Sequence, residues 1–114
     1  KITIPSKVET IGGKAFYNCS MLSSINIPSS VKTIGQGAFI SSGIQKAVFE
    51  QPSGWSRLHR YTYWNVVYTK NKQSLSKESL QDAENAAKIL LNTASAKFTF
   101  DGLDYSVYYT FERS

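Results

Sequence analysis

One cysteine, one histidine and three prolines are spread over 114 residues, and no apolar run approaches the ~20 residues that a membrane-crossing helix needs. Cys19 alone forms no internal disulfide, so packing and backbone hydrogen bonds must hold the chain together. The lone His59 stands between Arg57 and Arg60, neighbours that oppose its protonation. A Cys19–His59 dyad would need two distant segments to meet, with Cys19 at a position that reads as buried. Metal-ligand spacing is missing: Asp101 and Asp104 flank a turn, which calls for such residues anyway. Glu78 and Asp82 are explained by the positive end of a helix. No catalytic, metal or cofactor residue is therefore expected, and the chain reads as a non-enzyme. Acidic residues are also absent between Glu50 and Glu78.

The net charge of +5 is mild, with five lysines against two carboxylates in residues 1–50 and eight cations against six carboxylates beyond. It suits solubility and weak attraction to acidic surfaces, and nucleic acid is not an expected partner. An apolar content of 41% with 18% charged residues fits an ordinary globular protein.

What the chain does contain is a repeat. Residues 2–16, ITIPSKVETIGGKAF, return as residues 25–39, INIPSSVKTIGQGAF, displaced by 23. Such a period marks a solenoid, whose units bury their apolar positions only by stacking on neighbours. Leu22, Ile25 and Ile27 alternate as a short strand that Pro28 ends. Val31 and Ile34 mark a second extended piece, and Gly35 and Gly37 permit a turn, as do Gly12 and Gly13 one copy earlier. Ala38–Phe39 and Ala15–Phe16 fill the interior. The segments around Ile2/Ile4 and Ile25/Ile27 are expected to pair in parallel. A third unit is altered: at a shift of 22, Ile44, Ala47 and Phe49 replace Leu22, Ile25 and Ile27, a Ser at 41 or 42 replaces Cys19, and Glu50 replaces Pro28. Lys1 falls inside a repeat, so further repeats are expected upstream.

The pattern L-x-x-I-x-I-P-x-x-V-x-x-I-G-x-x-A-F, complete from Leu22 to Phe39 and followed in the preceding copy by Cys19, resembles the BspA-like class of bacterial leucine-rich repeats. The resemblance covers residues 1–50 closely. It continues loosely through Val48-Phe49-Glu50, Ser53-Gly54-Trp55, Asn85-Ala86-Ala87 with Leu90, and Tyr108-Tyr109, while residues 57–72 look like an insertion. It implies a surface or secreted location and binding of host or extracellular-matrix proteins.

Residues 55–70 are aromatic, β-branched and basic, which favours strand. Their apolar residues occupy both parities, so either both faces are covered or a turn near residue 60 resets the register. Residues 71–74 read as loop. A helix follows, capped by Ser76 or Ser79, with Leu80, Ala83, Ala87, Leu90/Leu91 and Ala94 in one stripe. Phe98 and Phe100, a turn at 101–104, then Tyr105, Val107, Tyr109 and Phe111 read as a hairpin.

The expected fold is thus α+β: about two 23-residue leucine-rich repeats and a partial third over residues 1–54, then a β-α-β-β capping segment over 55–114. Two binding surfaces present themselves. Thr3, Ser24, Asn26, Lys46 and Val48 face solvent on the repeat strands and suit a protein partner. Arg57, Arg60, Lys70 and Lys72, interleaved with Trp55, Tyr61, Tyr63, Trp64 and Tyr68, suit a glycan or another polyanion if rings and charges share one open face. The alternative is that these aromatics are cap core, and that the segment is purely structural.

Overall fold

The computed structural model of the chain describes the backbone of residues 3–91, 97–100, 102–106 and 108–114, with side chains at all of these but 63, 97–100 and 103–106. The repeat region holds four short strands, β1 (Thr10–Ile11), β2 (Ser24–Ile27), β3 (Thr33–Ile34) and β4 (Lys46–Phe49). β1 and β3 pair in parallel with Ile11 beside Ile34, and β2 and β4 pair in parallel with Ile25 beside Ala47 and Ile27 beside Phe49. The first ladder keeps the 23-residue step and the second the 22-residue step. Between the ladders the backbone bonds continue from coil to coil: Lys14 N–H to Gln36 O at 2.8 Å, Phe16 to Ala38 at 2.7 Å, and Gln45 to Ser23 at 2.7 Å.

The tight corners of the repeat differ from the sequence expectation. Lys14 and Gly37 take the left-handed conformation at equivalent positions, φ 60° and 65°, and so do Asn18 and Ser41 at 60°. Gly12 and Gly13 are not the left-handed residues of the first copy. The one-residue deletion falls at Gly43, whose N–H bonds to Cys19 O at 3.1 Å. A Cβ there would collide with the Ser20 carbonyl, so the shortened corner requires glycine. Thr3–Pro5 forms no strand, and Ile2 lies outside the described residues, so the parallel partner of β2 is β4 and not the Ile4 segment.

Residues 55–114 depart from β-α-β-β. A long hairpin opens the segment, β5 (Trp55–Tyr63) and β6 (Val66–Ser74), joined by Trp64-Asn65, both left-handed at φ 52° and 61°. This two-residue turn matches the twist of paired strands. What breaks the register near residue 60 is a bulge between His59 and Arg60, which leaves Lys70 unopposed on β6, and residues 71–74 are strand rather than loop. Two helices follow, α1 (Lys77–Gln81) and α2 (Ala83–Leu91). The Ser76 hydroxyl caps the first at 3.2 Å from Ser79 N. The Asp82 carboxylate takes the N–H groups of Glu84 and Asn85 at 3.1 and 3.2 Å, starting the second where a single helix was expected. Strands β7 (Lys97–Phe100) and β8 (Leu103–Ser106) make a hairpin. Tyr109 and Phe111 belong to a separate strand, β9 (Tyr108–Arg113). Ala94 and Val107 lie outside the described residues, as do the side chains of Phe98, Phe100 and Tyr105.

β9 joins the two halves of the chain. It runs antiparallel to β3, with Phe111 beside Ile34, and antiparallel to β5, from Trp55 opposite Arg113 to Arg60 opposite Tyr108. The order of the resulting sheet is β1-β3-β9-β5-β6. Leu80, Ala86, Ala87 and Leu90 bury against the second ladder through β4, in one cluster with Ile25, Ile27, Ala47, Phe49, Trp55 and Phe111. Trp55 meets Phe49 edge-on at 5.3 Å, and its indole N–H donates to Gln51 O at 2.8 Å. Phe16 stacks on Phe39 at 5.2 Å as the repeat alignment predicts. Only Phe39 is fully buried, however. Phe16 is half-buried because its second face has no described coil over it, and Ala15 is exposed. Cys19 is half-buried against the same core.

Candidate functional site

Alternation along β2 and β4 sends Ile25, Ile27, Ala47 and Phe49 inward and leaves Ser24, Asn26, Lys46 and Val48 exposed on the outer face. Ser24 stands beside Lys46, and Asn26 beside Val48. One end of this face is fixed by Glu50, whose carboxylate accepts from the Asn26 amide at 2.7 Å and from Ser29 N–H at 3.1 Å. These two donors hold the Glu50 pKa below its ordinary value. At the other end Lys46 borders a depression of about 430 Å³ shared with Gln45 and with Glu84 and Lys88 of α2. Apart from Lys46 the exposed side chains of this face are short and uncharged.

The basic-aromatic segment is the β5–β6 ribbon, and its register divides the expected residues. Arg57 lies on the face of Tyr109, its guanidinium 4.4 Å from the ring centre and 2.7 Å from the Gln73 side-chain oxygen. His59 stacks on the same ring at 4.3 Å, and beyond the bulge Tyr61 stacks on Tyr68 at 5.3 Å. Arg60 opposes Tyr108 and Lys72 opposes Leu58, on the other face, and Lys70 occupies the bulge. The four cations therefore do not share one surface. Tyr61 and Tyr68 turn ring faces to each other, which leaves less open ring for stacking a sugar. The side chain of Tyr63 lies outside the description. His59 is held below its ordinary pKa first by burial, then by Arg57 and Lys70, so the depressing neighbours include one from across the ribbon.

Sequence reasoning passed over Tyr109 as a site residue, because nothing local shows that β9 returns to β5. It named Trp64 only as one of five candidate rings, without placing it at a turn. Trp64-Asn65 lacks the glycine that commonly marks a two-residue hairpin turn, so the sequence carried little local signal for it. Among the described residues no three His, Cys, Asp or Glu side chains gather to hold a metal ion. No helix among them is long and apolar enough to cross a membrane.

Comparisons with curated proteins and with solved structures return no match. A family model described as BspA type leucine rich repeat region, in six copies, matches residues 1–100. The match reaches past the last repeat strand, β4, through the ribbon and the helices. Parallel ladders at steps of 23 and 22 residues, with the motif apolar residues inside, are the geometry these repeats require. The chain belongs to the BspA-type leucine-rich-repeat family.

Proposed function

We infer that the chain is a non-enzymatic protein-binding module: the closing coils of a leucine-rich-repeat solenoid from a bacterial cell-surface or secreted protein, engaging host or extracellular-matrix proteins. Residues 55–114 act as its cap. The observation that carries this reading is the outer face of β2 and β4, where Ser24, Asn26, Lys46 and Val48 are all exposed on a rigid ladder beside the Lys46 depression. The short side chains of Ser24, Asn26 and Val48 lose little entropy on docking, and Lys46 adds a single charge, which favours a broad protein contact. The family's repeats also serve as protein-interaction modules.

The test is surface plasmon resonance against a panel of immobilised extracellular-matrix proteins. Replacing Lys46→Glu together with Val48→Ser is expected to weaken binding about tenfold or more while the melting temperature stays unchanged. If removing Arg57, Arg60, Lys70 and Lys72 weakens it instead, the partner is read by the ribbon as a polyanion or glycan. Should neither set matter, the stretch is a passive cap.

A further inference from the structure

Past Arg60 no third strand is hydrogen-bonded to the ribbon among the described residues, because β9 begins at Tyr108 opposite that residue, although β8 lies against β5. The distal part of the ribbon carries exposed apolar side chains on both faces, Val67 alone on the face it shares with Thr62, Thr69 and Arg60. Val66 and Tyr68 lie on the face of Tyr61, while Val67 lies on the other with Thr62, whose hydroxyl sits 3.3 Å from that of Tyr108. Val66, Val67 and Tyr68 are each about half exposed, and Trp64 at the apex is 80% exposed. The indole is carried on a left-handed residue, a conformation unfavourable for a bulky side chain and one that glycine would adopt freely. Behind the tip come Arg60, Lys70 and Lys72, and no carboxylate occurs between Glu50 and Glu78.

A flat protein partner would cover one face of such a ribbon, and a strand added to β6 would cover only its edge. A medium that surrounds the tip would cover both faces. We propose that the β5–β6 tip inserts into the interfacial layer of an anionic lipid bilayer, with Trp64, Val66, Val67 and Tyr68 among the acyl-chain boundary and Arg60, Lys70 and Lys72 at the headgroups. Tryptophan and tyrosine favour that boundary, where an apolar ring and a polar edge are both accommodated. The lysines supply the charge complementarity, since anionic leaflets attract juxtamembrane cations. This surface lies on a different element from the outer face of β2 and β4, and its test is independent of the protein-binding reading.

The chain's two tryptophans make the experiment direct. Trp55 is 2% exposed and already in apolar surroundings, so a blue shift on binding reports Trp64. The full chain is mixed with vesicles of phosphatidylcholine alone, or of equal parts phosphatidylcholine and phosphatidylglycerol, and followed by emission and co-sedimentation. Expected are a blue shift and sedimentation with the anionic vesicles, and quenching by brominated acyl chains. Trp64→Gly, which suits the turn and preserves the fold, should weaken partitioning about tenfold or more. Lys70→Gln and Lys72→Gln should each weaken it roughly fivefold on anionic vesicles only. The proposal is overturned if no blue shift occurs, or if both Trp64→Gly and Val67→Thr bind as well as the parent. It is equally overturned if dextran sulfate in solution produces the same shift, which would assign a soluble polyanion.

Discussion

Single side chains set how firmly the coils are held. Phe39 is buried to 1% and Phe16 only half, so Phe39→Ala should cost about 3–5 kcal/mol and Phe16→Ala clearly less, by urea denaturation. The Ser42 hydroxyl is buried and finds no hydrogen-bond partner among the described residues, while the equivalent residue one coil earlier is Cys19. Ser42→Cys removes a desolvated polar group and should stabilise by about 1 kcal/mol in the same assay. Two titrating groups shape the acid side of the stability curve. His59 and Glu50 both have native pKa values below the ordinary 6.5 and 4.5. The native state therefore releases each proton more readily than the unfolded chain. Stability is full above those ordinary values and falls in two steps as pH drops through each. His59→Gln should flatten the upper step and Glu50→Gln the lower, in melting temperatures measured from pH 8 to pH 3.

At the scale of elements, what the repeat pattern dictates was legible and what distant pairing dictates was not. The shift from 23 to 22 residues placed Ala47 and Phe49 beside Ile25 and Ile27 correctly, because side-chain alternation fixes register wherever one face is buried. The ribbon was opaque for the opposite reason. With apolar residues on both faces beyond the bulge, no alternation exists to locate strand, bulge or turn. The helix stripe was right from Leu80 to Leu90, yet the break at Asp82 was hidden, since acidic side chains near a helix start fit one helix or two. Asp82→Ala should cost about 1 kcal/mol and lower helical circular dichroism, through loss of the cap on α2. Lys14→Gly, which gives the first copy the glycine that Gly37 gives the second, should stabilise by about 0.5–1 kcal/mol. As for the candidate site, the exposed positions of β2 and β4 followed from alternation, whereas the partnership of Arg57 and His59 with Tyr109 depends on a pairing that only the folded chain reveals.

For the whole molecule, the repeats and residues 55–114 are joined through one sheet and one core. Arg113 N–H reaches Lys32 O at 2.8 Å, and the Arg113 guanidinium reaches Ser29 O at 2.8 Å. Removing residues 75–114 would strip away both helices and β9, baring Ile34, Phe49 and Ala47. The product is expected to bind a hydrophobic dye and to lose its cooperative thermal transition. A soluble fragment that still melts sharply would show that the repeats stand without residues 75–114.

The position of β9 also governs the order in which the molecule can be assembled. Each parallel rung joins residues about two dozen positions apart, but Thr33 waits for Glu112 and Ile34 for Phe111. On a translating ribosome the coils can stack as they emerge, while the flank of β3 stays an open template until Tyr108–Arg113 has left the exit tunnel. Closure of that long loop is the step with the largest sequence separation, and it is the natural bottleneck of refolding. Nascent chains stalled before Tyr108 would therefore present a vacant strand edge to one another on the same polysome, a hazard that ends when the closing strand seats.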